Sequence, residues 1–397
     1  MQYKKPFFII LISWTLASFG FATILPFLSI FLSDQYGLSV SEIGIFFLLT
    51  AILRSIFQMY SGEISDLFGR KNIMSYSQIA RAFLLILAVI AIYFKLSYLY
   101  VVSLVGISYV FASMFQPVAQ AALADHLPIE NFLQGFSLIR VAGNFAWSLG
   151  PIIAGYVTKI SYSALFISSA VFSILGAILT HRHYIDATKL DKKENRTNLG
   201  TVFNDKLFLT FCLITFFLCI TISQMFSSLS IYLSKYKHLD SETIGYIFAI
   251  NGFTVLIFQM PISKLVTSKI KPLYGMSIGS LLYMLGYFIA GYANSLLGYI
   301  LILFCVSLGE VFVTPLIQTS VAKLAPEKMI GRYMGFYSMI AVAGWSFGPY
   351  IGGKILDFFS LNFHIAWQMI SLFALFASIG YFLLDKILVK TGNVREL

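Results

Sequence analysis

Long apolar runs, set apart by short polar breaks, constrain this chain more than any other feature it has. A helix needs roughly 20 apolar residues to cross a bilayer, and runs of that length recur about twelve times. They lie near 7–32, 43–61, 73–94, 98–122, 132–158 and 161–180, and again near 207–233, 244–265, 273–292, 296–320, 331–356 and 365–385. Composition points the same way. Only 11% of the residues are charged and 58% are hydrophobic, whereas a soluble domain carries about 25% charged residues. Such a chain cannot cover its surface for water, so an all-α integral membrane protein is expected. Lys4 and Lys5 ahead of Phe7 imitate a signal peptide, but the run to Leu32 is too long for one and reads as the first span.

The formal charge of +10 invites a nucleic-acid reading. The distribution of the basic residues opposes it. On the span pattern above, 19 of the 27 Lys and Arg fall on the side of both termini and five on the other; Arg54, Arg81 and Arg140 lie inside spans. Excess Lys and Arg in one set of loops orients a membrane protein with that side in the cytoplasm. The expected location is the cytoplasmic membrane, multi-pass, with both termini in the cytoplasm.

His181 to Lys206 interrupts the apolar pattern with Arg182, Lys189, Lys192, Lys193 and Arg196 among Asp186, Asp191 and Glu194. A polar stretch of this length reads as a linker, giving a six-helix bundle over 1–180, a linker over 181–206 and a second six-helix bundle over 207–397. The two halves repeat. A shift of 198 lays Pro117 on Pro315, Gln120 on Gln318, Trp147-Ser148 on Trp345-Ser346, Gly150-Pro151 on Gly348-Pro349 and Gly155 on Gly353; Pro128 falls on Pro326. A shift of 201 lays Ile43-Gly44 on Ile244-Gly245 and Gln58-Met59 on Gln259-Met260. Parallel six-helix repeats about an axis normal to the membrane are a known way to build a transporter.

Between the second and third spans stands Gly62-Glu-Ile-Ser-Asp66-Leu-Phe-Gly69-Arg70-Lys71. Glycines let two helix ends approach and turn. Asp66 and Arg70 supply an acceptor and a fork donor for a latch, and Lys71 adds a cation at the cytoplasmic end of the span. This segment resembles the loop between helices 2 and 3 of the major facilitator superfamily, with Leu67 where the family usually has a basic residue. Gly150-Pro151-Ile-Ile-Ala154-Gly155 resembles the antiporter motif of its fifth helix, and Gly348-Pro349-Tyr-Ile-Gly352-Gly353 repeats it in the eleventh. Proline kinks a helix and glycine permits close packing, so both runs read as bendable helix seams. Phe115 to Pro128, Leu308 to Pro315 and Phe21 to Leu28 are similar to the fourth, tenth and first helices of drug:proton antiporters. The resemblance implies twelve helices in two pseudo-symmetric bundles, alternating access, a small-molecule substrate and a proton as coupling ion. It also implies that acids corresponding to Asp125 and Glu310 take part in proton coupling. The relatives' fourth-helix arginine has no counterpart here; Arg81 or Arg140 is its candidate substitute.

Glu310 is the carboxylate set deepest in a span. Burial favours its protonated form, so it is the first candidate for carrying a proton. Arginine inside lipid is costly, so Arg54, Arg81 and Arg140 are expected at a cavity or a partner. Mid-span depth adds Trp14, Phe21, Phe111, Met114, Asn144, Phe217, Gln224, Met225 and Tyr337 as candidate cavity residues. Cys212, Cys219 and Cys305 lie in spans without metal-ligand spacing, and the five histidines form no pair, so no metal is assigned. Gly348 to Ile355 imitates a phosphate loop, but Ile355 lacks the hydroxyl for magnesium and no strand precedes it. No cofactor beyond the proton is expected, nor nucleic acid; the partners are the bilayer and a small molecule, and the chain is read as a monomer and not an enzyme. The expected function is proton-coupled efflux of lipophilic small molecules. The alternatives are proton-linked uptake or export of an organic anion or nutrient by the same fold, and a membrane sensor or scaffold without flux.

Overall fold

The structure, a computed structural model, describes residues 5–127, 132–186, 199–326 and 330–390. The basic linker residues Lys189, Lys192, Lys193 and Arg196, the terminal Lys4 and Arg395, and Pro128 of the repeat lie outside these. The described chain is helical and carries no strand. The first half supplies α1 (Lys5–Tyr36), α2 (Val40–Phe68), α3 (Arg70–Tyr93), α4 (Tyr98–His126), α5 (Phe132–Ile160) and α6 (Tyr162–His183). The second supplies α7 (Lys206–Ser223), a short α8 (Ser228–Ile231), α9 (Ser241–Lys269), α10 (Pro272–Ala290), α11 (Leu296–Leu324), α12 (Ile330–Phe358) and α13 (Phe363–Lys390).

Twelve spans result, because α7 and α8 belong to one apolar segment, Lys206–Tyr236. Within it, a 3-10 turn over Gln224–Phe226 precedes α8, and a π-helical turn over Tyr232–Tyr236 follows it. Eleven of the twelve are long and apolar enough to cross a membrane by length and composition. The exception, α12, has the length but is diluted by glycines and by Lys354 and Asp357.

Helix ends differ from the sequence expectation mainly by running on. The second span does not stop at residue 61; α2 continues through Gly62 to Phe68. The turn into α3 is made at Gly69 alone, whose φ of +91° is open to glycine and strained for other residues.

The repeat reaches the backbone. After α1, Gly37 takes a φ of +65° and Leu38 N–H donates to the Leu32 carbonyl at 3.4 Å. Two hundred and one positions on, His238 takes a φ of +52° and Leu239 N–H donates to the Leu233 carbonyl at 3.1 Å. Ser39 then closes a capping box with Glu42 at the start of α2, its N–H donating to the carboxylate at 2.8 Å; Asp240 caps α9 from the same position.

The described structure divides into two compact units. One holds Met1–Leu38, Leu49–Asp191 and Leu233–Gly252; the other holds Ser39–Leu48, Lys192–Tyr232 and Phe253–Leu397. In the first, α1 packs on α5, α6 and α4, and α3 packs on α4 and α6. In the second, α7 packs on α12 and α13, and α10 packs on α11 and α13, the same arrangement transposed by half the chain. The opening turns of α2 belong to the second unit and those of α9 to the first, so each unit includes a helix end from the other half of the sequence.

Candidate functional site

Arg70 sits in the first turn of α3, where Gly69 aims it across the end of the bundle. Its guanidinium pairs with Asp66 at 2.5 Å and with Asp125, at the end of α4, at 3.2 Å; it also donates to the hydroxyl of Ser65. Three helices thus meet on one fork donor. Asp186, just past α6, adds a fourth: it accepts from the Lys71 N–H at 2.9 Å, and a Cβ on Gly69 would lie 2.8 Å from its Oδ2. Asp66, Gly69, Arg70 and Lys71 are therefore brought together as the sequence suggested. Asp125, a proton-coupling candidate from the resemblance, joins this cluster at the end of α4, and Ser65 and Asp186 were missed. Nothing local in the sequence says that residue 186 returns to residue 71. Beside the cluster, His126 Nε2 lies 3.1 Å from the Tyr184 hydroxyl, and burial, followed by the charges of Asp186 and Asp125, pushes that phenol up.

The glycine-proline runs form close helix seams. In the first unit, a Cβ on Gly155 would meet the Ser241 carbonyl at 2.6 Å, and one on Gly150 would meet the Ala22 Cβ at 2.5 Å. Gly245 of α9 abuts the Pro151 carbonyl of α5. In the second unit, Gly44 of α2 lies against the Pro349 carbonyl of α12, its absent Cβ 2.6 Å from that oxygen, and Gly353 lies as close to the Val40 carbonyl. Gly348 and Gly352 make room for the side chains of Ser223 and Gln224 on the other face of α12. Gly44 and Gly245 are the residues paired by the shift of 201, so each docks on the repeat-related proline. Their role was readable in the repeat but was not singled out.

Polar contacts flank both seams. The Ser41 hydroxyl and N–H donate to Asp357, the N–H at 3.1 Å. Lys159 pairs with Glu242 and lies 4.0 Å from Asp240. The Tyr156 and Tyr246 hydroxyls are 2.5 Å apart. Asp240 is held below the usual carboxylate range, first by its contact with Thr243.

Glu310 lies half-way along α11, half-buried, with its charge in electrostatic reach of Tyr283 and Tyr287 on α10. Among the described side chains every other carboxylate lies at or near a helix end.

The first unit holds the opposite charge. Arg81 on α3 is 1% exposed, donates to the Ser169 hydroxyl on α6 at 3.0 Å, and lies 4.5 Å from the centroid of Phe21. Arg54 on α2 stands 5.9 Å from the same ring and 5.9 Å from Tyr109, which itself stacks on Phe21. Cation–π attraction offsets part of the desolvation.

The remaining candidates scatter. Trp14 packs on Phe115 in the core of the first unit, and Met114 is buried, with Phe111 half-buried on the same helix. Arg140 and Asn144 are half-buried on α5, and Tyr337 is half-buried on α12. Phe217 stacks on Phe373 and meets Phe376 edge-on. Gln224 is fully buried; its amide donates to the Gly348 carbonyl at 2.7 Å and accepts from Ser228 at 2.6 Å, tying α7 to α12. Met225 is buried beside it.

Comparison with known proteins agrees with this architecture. The family model for the Major Facilitator Superfamily matches residues 10–349 and 228–396. The chain is 24% identical over 368 residues to a Na(+), Li(+), K(+)/H(+) antiporter of Planococcus maritimus, covering 83% of this chain and 84% of that one. It is 23% identical over 359 residues to the quinolone resistance protein NorA of Staphylococcus aureus, covering 89% and 90%. Its fold superposes on the crystal structure of the nucleoside transporter NupG with a TM-score of 0.78 at 15% identity, covering 96% of this chain and 100% of that one. With the family model matched over most of its length and the twelve-span repeat in agreement, the chain belongs to the Major Facilitator Superfamily.

Proposed function

We propose that this protein is a proton-coupled secondary transporter that exports lipophilic small molecules by alternating access, from the cytoplasmic membrane with both termini in the cytoplasm. The observation that carries the reading is Glu310. It is the mid-span carboxylate among the described residues, in electrostatic reach of two phenols, on a helix packed inside one repeat. A half-buried acid in apolar surroundings changes charge at an accessible pH when its exposure to water changes. Proton coupling requires that behaviour. The similarity to a cation/H(+) antiporter and to a quinolone resistance protein supports the same reading. Asp66, Arg70 and Asp125 act in it as a latch, and the Gly44/Pro349 and Gly245/Pro151 seams as the surfaces that part and re-seal in each cycle.

The test is flux in proteoliposomes. Ethidium should be driven by an imposed pH gradient in the parent protein. Glu310→Gln should abolish that drive while preserving counterflow without a gradient. Full pH-driven transport by Glu310→Gln would refute the coupling assignment. A second reading, transport of an organic anion, is favoured by the paired guanidiniums of the first unit.

A further inference from the structure

We propose that Arg54 and Arg81, with Tyr109 and Phe21, form a binding site for a flat apolar anion bearing a carboxylate or sulfonate. This names a solute class for the second, organic-anion reading given above and rests on that reading.

Two cations, Arg81 buried and Arg54 half-buried, stand around one aromatic ring. Arg81 spends Nη2 on Ser169, whose hydroxyl is itself committed to the Gly20 carbonyl at 2.7 Å. Its Nε and Nη1 are buried without a hydrogen-bond partner, as are Nε of Arg54 and the hydroxyl of Tyr109. Gly20 leaves room for the guanidinium: a Cβ there would stand 3.0 Å from Nη1. One turn earlier on α3, Gln78 is 1% exposed with both amide atoms unpartnered. No ion pair to Arg54 or Arg81 exists among the described side chains. The described acids of this unit, Asp34, Asp66, Asp125, Asp186, Asp240 and Glu242, all lie at helix ends or beyond them.

A buried cation without an ion pair, such as Arg81, is expensive, and a second cation near it repels as well. The Phe21 ring and one serine do not use five donors each. A guanidinium fork matches a planar oxyanion, and the phenol supplies a further donor. The donors recognise the anionic group, and the stacked Phe21 and Tyr109 rings beside them supply apolar contact for a flat body. A permanently structural arrangement would pair at least one arginine with a carboxylate of the chain.

The test uses purified full-length protein in nanodiscs, with radiolabelled 2-naphthoate and its cationic match, 2-naphthyltrimethylammonium. Naphthoate should bind saturably and raise the melting midpoint, and the cation should do neither. Arg54→Gln and Arg81→Gln should weaken naphthoate roughly thirtyfold or more, the scale for removing one partner of a buried charged contact. Arg54→Lys should fall between. Gel filtration and melting identify a variant that fails to fold; the wild-type melting shift then decides without it. No naphthoate binding to folded wild type, binding unchanged in Arg54→Gln, or a preference for the cation would overturn the site. Wild type that moves ethidium yet ignores naphthoate loses the anion assignment alone. Wild type that binds naphthoate yet moves no solute loses the transport reading and keeps the site.

Discussion

At Gly69 the backbone holds φ at +91° and ψ at 141°, with an Asp186 oxygen where a Cβ would stand. Gly69→Ala meets both obstacles. The backbone strain costs on the order of 1–3 kcal/mol, and a lowered melting midpoint in detergent would register it. Gly62→Ala is the control, because α2 passes through that position as ordinary helix and alanine is the better helix former. Arg70→Ala separates latch from scaffold. It leaves the carboxylates of Asp66 and Asp125 65% and 29% exposed, so both keep water contact without Arg70, and melting should shift less than for Gly69→Ala. Flux should fall well below that of the parent, and Arg70→Lys should recover only part of it, since an ammonium cannot reproduce the fork. The sequence disclosed the Asp66–Arg70 pair because an acceptor and a fork donor flank the same short glycine turn. It concealed Asp125 and Asp186 because their approach depends on how α4 and α6 end in space. It also could not show that Gln224, which looks like a cavity amide, has its hydrogen bonds taken by Gly348 and Ser228.

At the scale of helices, the twelve spans were legible because each must be apolar for its full length, whatever it packs against. Ends were less so: the apolar signal stops at the membrane boundary, whereas α2 continues as helix into the polar turn. Pairing of helices was legible only through the repeat. Gly44 and Gly245 occupy matching positions, and both lie against the carbonyl of a helix-kinking proline. Gly44→Val and Gly245→Val should each wedge the seam apart. The expected outcome is a loss of flux of about tenfold or more, the scale on which overpacking of 1–3 kcal/mol acts. Gly335→Val, whose Cβ would meet nothing within 4 Å, should leave flux near the parent value.

For the whole molecule, the two copies of the repeat have diverged in charge while keeping their geometry. Lys159 corresponds to Asp357 under the shift of 198, and Ser41 to Glu242 under the shift of 201. One copy bonds through Lys159 and Glu242, the other through Asp357 and Ser41. Lys159→Glu should therefore impair transport while hardly changing stability, and adding Glu242→Lys should restore part of the flux; initial rates in proteoliposomes measure both. Asp357→Ala should act on the other copy, additively with Lys159→Glu if the two seams work independently. The seventh span breaks the duplication more deeply. Its counterpart α1 is one unbroken rod from Lys5 to Tyr36, whereas the chain from Gln224 to Tyr236 changes helical pitch twice. Across that joint the hydroxyls of Ser223, Ser227 and Ser230 donate back to main-chain carbonyls. Two halves built on one repeat thus differ in their leading span: a continuous helix with a single proline, Pro26, in one, and a joint with two changes of pitch in the other, where bending of the second half is expected.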